Sequence, residues 1–238
     1  MKTENIKILT IKELRHYINN PPAYILSSFF LLICGYFFAQ PLFLINQGNL
    51  NSLNDIAPLI LTFFIPALSM RLIAEERKTQ TIEVLMTLPY TEEEIIISKY
   101  LSAAIVIIFT IFLFFPYVLT IYFLSKPDFG HIIGSFISLI FLSLSFLSIS
   151  LYSSTLSSSQ ITAFIIGFVI SFFFYLCSKI TMFMPLALQN LFSYLGIDSH
   201  ISNLSRGVID LKDLVYFISI IFVFIYFSIL KIKSMRVR

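Results

Sequence analysis

Uncharged apolar runs alternate along this chain with short polar breaks, and most of the runs have the length of a bilayer span. Residues 23–45 carry no formal charge over 23 positions, enough to cross a hydrocarbon core of about 30 Å at about 1.5 Å per residue. Ahead of them, Ile8, Ile11, Leu14 and Ile18 recur at helical spacing with Lys7, Lys12, Glu13 and Arg15 between them. That pattern predicts an amphipathic helix over residues 3–20, lying in the membrane surface and stopped by Asn19-Asn20-Pro21-Pro22.

The stretch 46–54 has Asn, Gln, Gly and Ser but neither Lys nor Arg, and reads as a short loop on the opposite side. Residues 56–70 offer only 15 uncharged positions. The second crossing is therefore expected over 54–74, reaching past Asp55 or letting Arg71 snorkel, with Pro58 and Pro66 permitting kinks. Residues 100–124 form the third, with Pro116 inside, and 125–130 are a turn by composition. Between Asp128 and Lys179 lie 50 uncharged residues, too many for one span and right for two. The break is expected in the Ser-rich stretch 153–160, giving crossings over 131–152 and 161–177. Residues 178–213 mix charges with short apolar pieces and predict interfacial or re-entrant helices. Residues 214–230 make the sixth crossing. The expected fold is an all-α integral membrane protein, one domain over 1–238 with six transmembrane helices.

Composition agrees: 58% of residues are hydrophobic and 12% charged, against about 25% charged in soluble domains. A net charge of +3 gives no reason to expect nucleic acid as a partner. Twelve of the 16 Lys and Arg fall at the N-terminus, in the passage 71–99 and at the C-terminus, leaving four for the other side. The positive-inside bias then places both termini and that passage in the cytoplasm of a multi-pass plasma-membrane protein.

The passage 71–95 holds nine charged residues: Arg71, Glu75, Glu76, Arg77, Lys78, Glu83, Glu92, Glu93 and Glu94. Within it Ile82, Leu85 and Met86 fall at i, i+3, i+4 while Glu83 faces away, the pattern of a short amphipathic helix that Pro89 ends. It reads as a cytoplasmic docking element, or more plainly as a solvated connector.

Candidate chemistry is sparse. No G-x-x-x-x-G-K-[ST] occurs, so the chain is not expected to bind ATP in the P-loop manner. His16, His131 and His200 are scattered without the spacing of a metal site or hydrolase, so no catalytic residue, metal or cofactor is expected. Cys34 and Cys177 lie in apolar runs and imply no disulfide framework. Met182 and Met184 read as interfacial packing before soft-metal ligands. Eleven of the 25 residues in 135–159 are serine. Close helix packing explains them better than a polar passage, with Ser143, Ser150, Ser154 and Ser157 on one face. No Asp, Glu, Lys or Arg stands in the middle of a crossing, which argues against an ion-coupled carrier. A non-translocating anchor or force-transmitting scaffold stays open beside a transport subunit powered by a separate ATPase.

The run Glu75-Glu76-Arg77-Lys78-Thr79-Gln80-Thr81-Ile82-Glu83-Val84-Leu85-Met86-Thr87-Leu88-Pro89 resembles the E-R-x-x-G-T-x-E-x-L-x-x-x-P signature of ABC-2 type permeases. Lys12-Glu13-Leu14-Arg15 with Tyr17, Pro22 and Tyr24 resembles the start of the branch of gliding-motility-associated and nitrous-oxide-cluster permeases. Ser205-Arg206-Gly207-Val208-Ile209-Asp210 with Asp213 and Tyr216 resembles its end. The resemblance implies a permease dimer with two P-loop ATPase subunits that carry the ATP. The charged loop would be its coupling helix, the first helix a connector, and the far-side segment before the last crossing a cap over the exit. Carried over onto this chain, the ATPase-coupling residues are Glu76, Arg77, Thr81, Glu83, Leu85 and Pro89. Gln80 stands where the family has glycine, which predicts a less sharp approach to the coupling helix.

Overall fold

A chain this apolar must satisfy each backbone N–H and C=O within its own segment, which favours helices throughout. The structure, a computed structural model, describes residues 2–44, 51–124, 129–181, 185–205, 207–208 and 210–236. Parts of the expected turns at 46–54 and 125–130, together with Met182, Met184, Arg206 and Ile209, lie outside the described residues.

The N-terminal helix α1 (Lys2–Asn19) leads into α2 (Pro21–Leu44). The return passage is α3 (Asn51–Ser69), continued after a break by α4 (Arg71–Lys78) and the short α5 (Thr81–Thr87). Next come α6 (Glu92–Phe112) and α7 (Phe115–Leu124), then α8 (Phe129–Leu156) and α9 (Gln160–Ile180). Two short helices, α10 (Leu186–Leu195) and α11 (Ile197–Ser205), precede α12 (Leu211–Arg236). Six stretches among the described residues are long and apolar enough to cross a membrane: Pro21–Phe43, Leu53–Lys78, Glu92–Leu124, Phe129–Leu156, Gln160–Ile180 and Leu211–Met235.

Helix α8 is the centre of the bundle, packed against α3, α4, α6, α9, α11 and α12. Its C-terminal end meets α4, and its N-terminal end meets α11. Following the chain from there puts α1, α4, α5 and the C-terminus of α12 at one end of the bundle, and α10 and α11 at the other. The serines explain how α8 is approached from so many sides. Ser138, Ser145, Ser148 and Ser153 are buried and turn their hydroxyls back onto carbonyls three or four residues earlier in the helix, so they present a small surface to their neighbours. Gly167 of α9 sits against Ser150 and Ser153, where a Cβ would come within 2.8 Å of the Ser153 Oγ. Ser157 is a correction: α8 ends at Leu156, and Ser157 lies in the turn to α9, its Oγ accepting from the Ser159 N–H.

Two passages are broken, one just ahead of a proline and the other four residues after one. Residues 113–114 separate α6 from α7 just ahead of Pro116, which has no N–H to give. The α3–α4 break at Met70 follows Pro66, and here another helix repairs the ladder. Ser154 Oγ of α8 accepts from the backbone N–H of both Ile73 and Ala74 at 3.0 Å and donates to the Met70 carbonyl at 3.1 Å. Replacing Ser154 by Ala removes these partners from buried backbone groups and should lower unfolding stability in detergent by about 1–3 kcal/mol. Ser157→Ala, outside the helix, should change it by less than about 0.5 kcal/mol.

Candidate functional site

The end that carries α5 is built around a buried ammonium. Lys99 is 2% exposed, and its Nζ meets Glu76 Oε1 of α4 at 2.7 Å and Glu13 Oε1 of α1 at 3.2 Å. Three elements distant in sequence are thereby held at one point. One charge faces two carboxylates, and Glu76 Oε2 is buried without a hydrogen-bond partner among the described residues.

A second joint fixes the start of α6. Thr91 and Glu94 form a capping box: the Glu94 N–H donates to Thr91 Oγ1, and the Thr91 N–H donates to Glu94 Oε2 at 2.9 Å. The other oxygen of the buried Glu94 accepts from Asn5 Nδ2 of α1. Helix α1 thus has two faces. Asn5, Leu9 and Glu13, four residues apart, turn inward, whereas Ile8, Ile11 and Ile18 are exposed, with no protein covering them among the described residues. The half-buried Tyr17 phenol sits above its ordinary pKa, first through desolvation and then through the Glu13 carboxylate.

The family signature divides into an inner and an outer set. Arg77 Nη1 donates to the Thr155 carbonyl in the last turn of α8 at 2.8 Å. With Glu76 on Lys99 and Leu85 buried beside Ile82, three of the six named residues anchor the element to its own chain. Thr81, Glu83 and Pro89 face outward, joined by Val84, 64% exposed, and Leu88, 42% exposed. The inward set Ile82, Leu85 and half-buried Met86, with Glu83 outside, follows the periodicity of the sequence. Helix α5 ends at Thr87, with Leu88 extended ahead of Pro89.

The approach to α5 differs from the expectation. Gln80 takes φ 59° and ψ 10°, the left-handed conformation, so the sharp turn from α4 is made without glycine. For a residue with a Cβ that conformation costs about 1–2 kcal/mol. The Thr79 hydroxyl next to it bonds the Glu75 carbonyl at 3.0 Å and the Thr81 hydroxyl at 2.9 Å, which secures the strained turn from either side.

Between α1, the start of α2, α4 and α5 lies a cavity of about 530 Å³, with Lys12, His16, Arg71, Glu75, Val84 and Leu88 among its walls. No group of three or more His, Cys, Asp or Glu among the described residues could hold a metal.

At the opposite end a pair appears that sequence reasoning did not find. His200, within the segment expected to form interfacial or re-entrant helices, is buried in α11 with its Nδ1 2.6 Å from Asp213 Oδ1 of α12. The two stand 13 positions apart in the sequence, and no local pattern signals their meeting. The Thr91–Glu94 capping box could have been found, because T-x-x-E ahead of an apolar run is its sequence mark.

Removing the Lys99 charge with Lys99→Met should strand two carboxylates and cost about 3–5 kcal/mol of stability. Adding Glu76→Gln should restore part of it, a pattern read from detergent unfolding of the single and double variants. Gln80→Gly should raise stability by about 0.5–1 kcal/mol, relief of the left-handed strain exceeding the glycine entropy cost. Gln80→Val should lower it in the same assay.

No curated protein matches the chain. The family model described as ABC-2 family transporter protein matches residues 6–232, from α1 to the last turns of α12. A match of that extent, on six apolar passages with the charged element between the second and third, makes the chain a member of the ABC-2 transporter family, a membrane permease.

Proposed function

We propose that this chain is the permease subunit of an ATP-driven exporter, pairing with a second permease chain around the translocation path and coupled through α5 to a separate P-loop ATPase subunit. Both termini and α5 lie in the cytoplasm in this reading, the protein resides in the plasma membrane, and ATP binds and is hydrolysed on the partner. The observation that carries it is the division of α5 and its flanks. Thr81, Glu83, Val84, Leu88 and Pro89 are open to a partner, while Glu76, Arg77 and Leu85 fasten the same element to the bundle.

Such a junction transmits displacement. A partner moving α5 pulls α4, and α4 is tied to α6 through Lys99 and to α8 through Arg77 and Ser154. ATP-driven closure of the partner subunits would thus reach three passages at once and tilt them at the dimer interface. The exposed Ile8, Ile11 and Ile18 of α1 suit a helix resting on the lipid surface. A connector helix of that kind would hold the junction at a constant depth.

The test is purification of the tagged chain from its native membrane in mild detergent, with assay of ATP hydrolysis by what copurifies. A stoichiometric P-loop ATPase is expected. Glu83→Lys should lower its coupled turnover roughly tenfold, the effect of one misplaced interface charge, with no change in membrane insertion. Unchanged turnover in that variant removes α5 from the docking role. A copurifying ATPase that turns over while no cargo leaves the cell would identify an anchor or force-transmitting subunit instead.

A further inference from the structure

Helices α10 and α11 are held against the bundle at several points. Gly196 lies so close to the end of α9 that a Cβ there would be 2.0 Å from Ser178 Oγ. Gly134 of α8 packs against the backbone of Leu204 and Gly207 in the same way. Asp198 at the start of α11 pairs with Lys179 of α9 at 2.6 Å. His200 forms another attachment, to the head of α12.

Both nitrogens of the His200 ring face oxygen acceptors. Nδ1 is 2.6 Å from Asp213 Oδ1, and Nε2 is 3.1 Å from the Tyr194 carbonyl of α10. A backbone carbonyl can only accept, so Nε2 must carry hydrogen. The short Nδ1 bond needs a second proton, on either the ring or the carboxyl. The pair therefore holds two protons in this arrangement, wherever the shared one resides. Loss of one leaves either a ring lone pair against the Tyr194 carbonyl or an unbridged contact with a carboxylate that is 0% exposed. Tyr216 stacks on the imidazole with ring centroids 4.0 Å apart, and its hydroxyl donates to the Leu195 carbonyl, so the same face of α12 also meets the α10–α11 joint.

We propose that His200 and Asp213 form a protonation-dependent clamp, holding the α10–α11 cap on the head of α12 when doubly protonated and loosening it as pH rises. Other charged and titratable groups face the pair from each neighbouring element. Asn203 of α11 donates to Asp213 Oδ2 at 3.4 Å, and Lys212 is paired with Asp210 at the surface of the α12 head. From α10 the ring edge of Tyr194 faces the imidazole, from α9 come Cys177, beside Tyr216, and the Lys179–Asp198 pair, and from α8 His131 is bonded to Ser135. The clamp is independent of how the chain is powered.

It can be tested on the full chain in detergent with a spin label at the exposed Ser202 of α11, in a background lacking Cys34 and Cys177. Between about pH 5 and 8, the window in which an imidazole side chain in general changes charge, the ratio of mobile to immobile label should rise about tenfold as one charged hydrogen bond is lost. His200→Gln keeps a donor for Asp213 but cannot titrate, and should give a flat profile, as should Asp213→Asn. Lys212→Met, at the exposed pair, should keep the parent profile. A flat profile in the parent protein overturns the proposal even if the clamp variants fail to fold, and so does the parent profile persisting in His200→Gln.

Discussion

One buried ammonium organises the end of the molecule where the family signature lies. An isolated charge in an apolar setting is costly enough that Lys99 would be excluded without compensation; Glu76 and Glu13 supply it from two other elements. The positions of α1, α4 and α6 follow from that requirement. Hydrophobic burial alone would not fix them, since in a bilayer a leucine gains little by leaving lipid for protein. The specificity of this end is electrostatic, and it depends on residues whose partners must all be present together.

Backbone hydrogen bonding imposes the second constraint. Each break in a passage exposes N–H and C=O groups that lipid cannot serve, and the α3–α4 break is tolerable because Ser154 of α8 serves three of them. A serine that would ordinarily bond its own helix is spent on a neighbour. The kink and the α4–α8 contact are therefore one feature, and neither is accounted for without the other. Gln80 belongs to the same region: its left-handed turn is held by the hydrogen bonds of Thr79 and by the burial of Ile82 and Leu85 beyond it.

Much of this fold was legible because a bilayer selects by length and polarity, both of which are written along the chain. Five of the passages follow from uncharged runs, the second from a shorter run extended past Asp55 and Arg71, and the in–out division of α5 from the spacing of Ile82, Leu85 and Met86 against Glu83. The apolar stripe of α1 was also readable, but its packed face was not, because Asn5 and Glu13 are polar residues that turn inward only to meet Glu94 and Lys99. Sequence spacing could place Lys99 near the charged loop yet could not say that it is buried, since burial depends on two distant carboxylates. The same holds for His200, which meets Asp213 across a connection with no regular period. Within the signature, the resemblance singled out Glu76 and Arg77 but could not say that they point into their own chain. That distinction appears only when Thr155 and Lys99 are brought beside them.

The central helix has a mechanical consequence. As a straight rod, its 28 residues measure about 42 Å end to end, with α4 joined at its C-terminal end and Gly134 seated against the end of α11 at the other. Neither joint relies on a long flexible side chain of α8: one uses the Ser154 hydroxyl and the Thr155 carbonyl, the other backbone against backbone. Such a rod behaves as a lever with little play at its ends. A tilt of about 5° about one end carries the other through roughly 4 Å over that length, so a small angular change at the α4 end is enough to shift α11 by the width of a side chain.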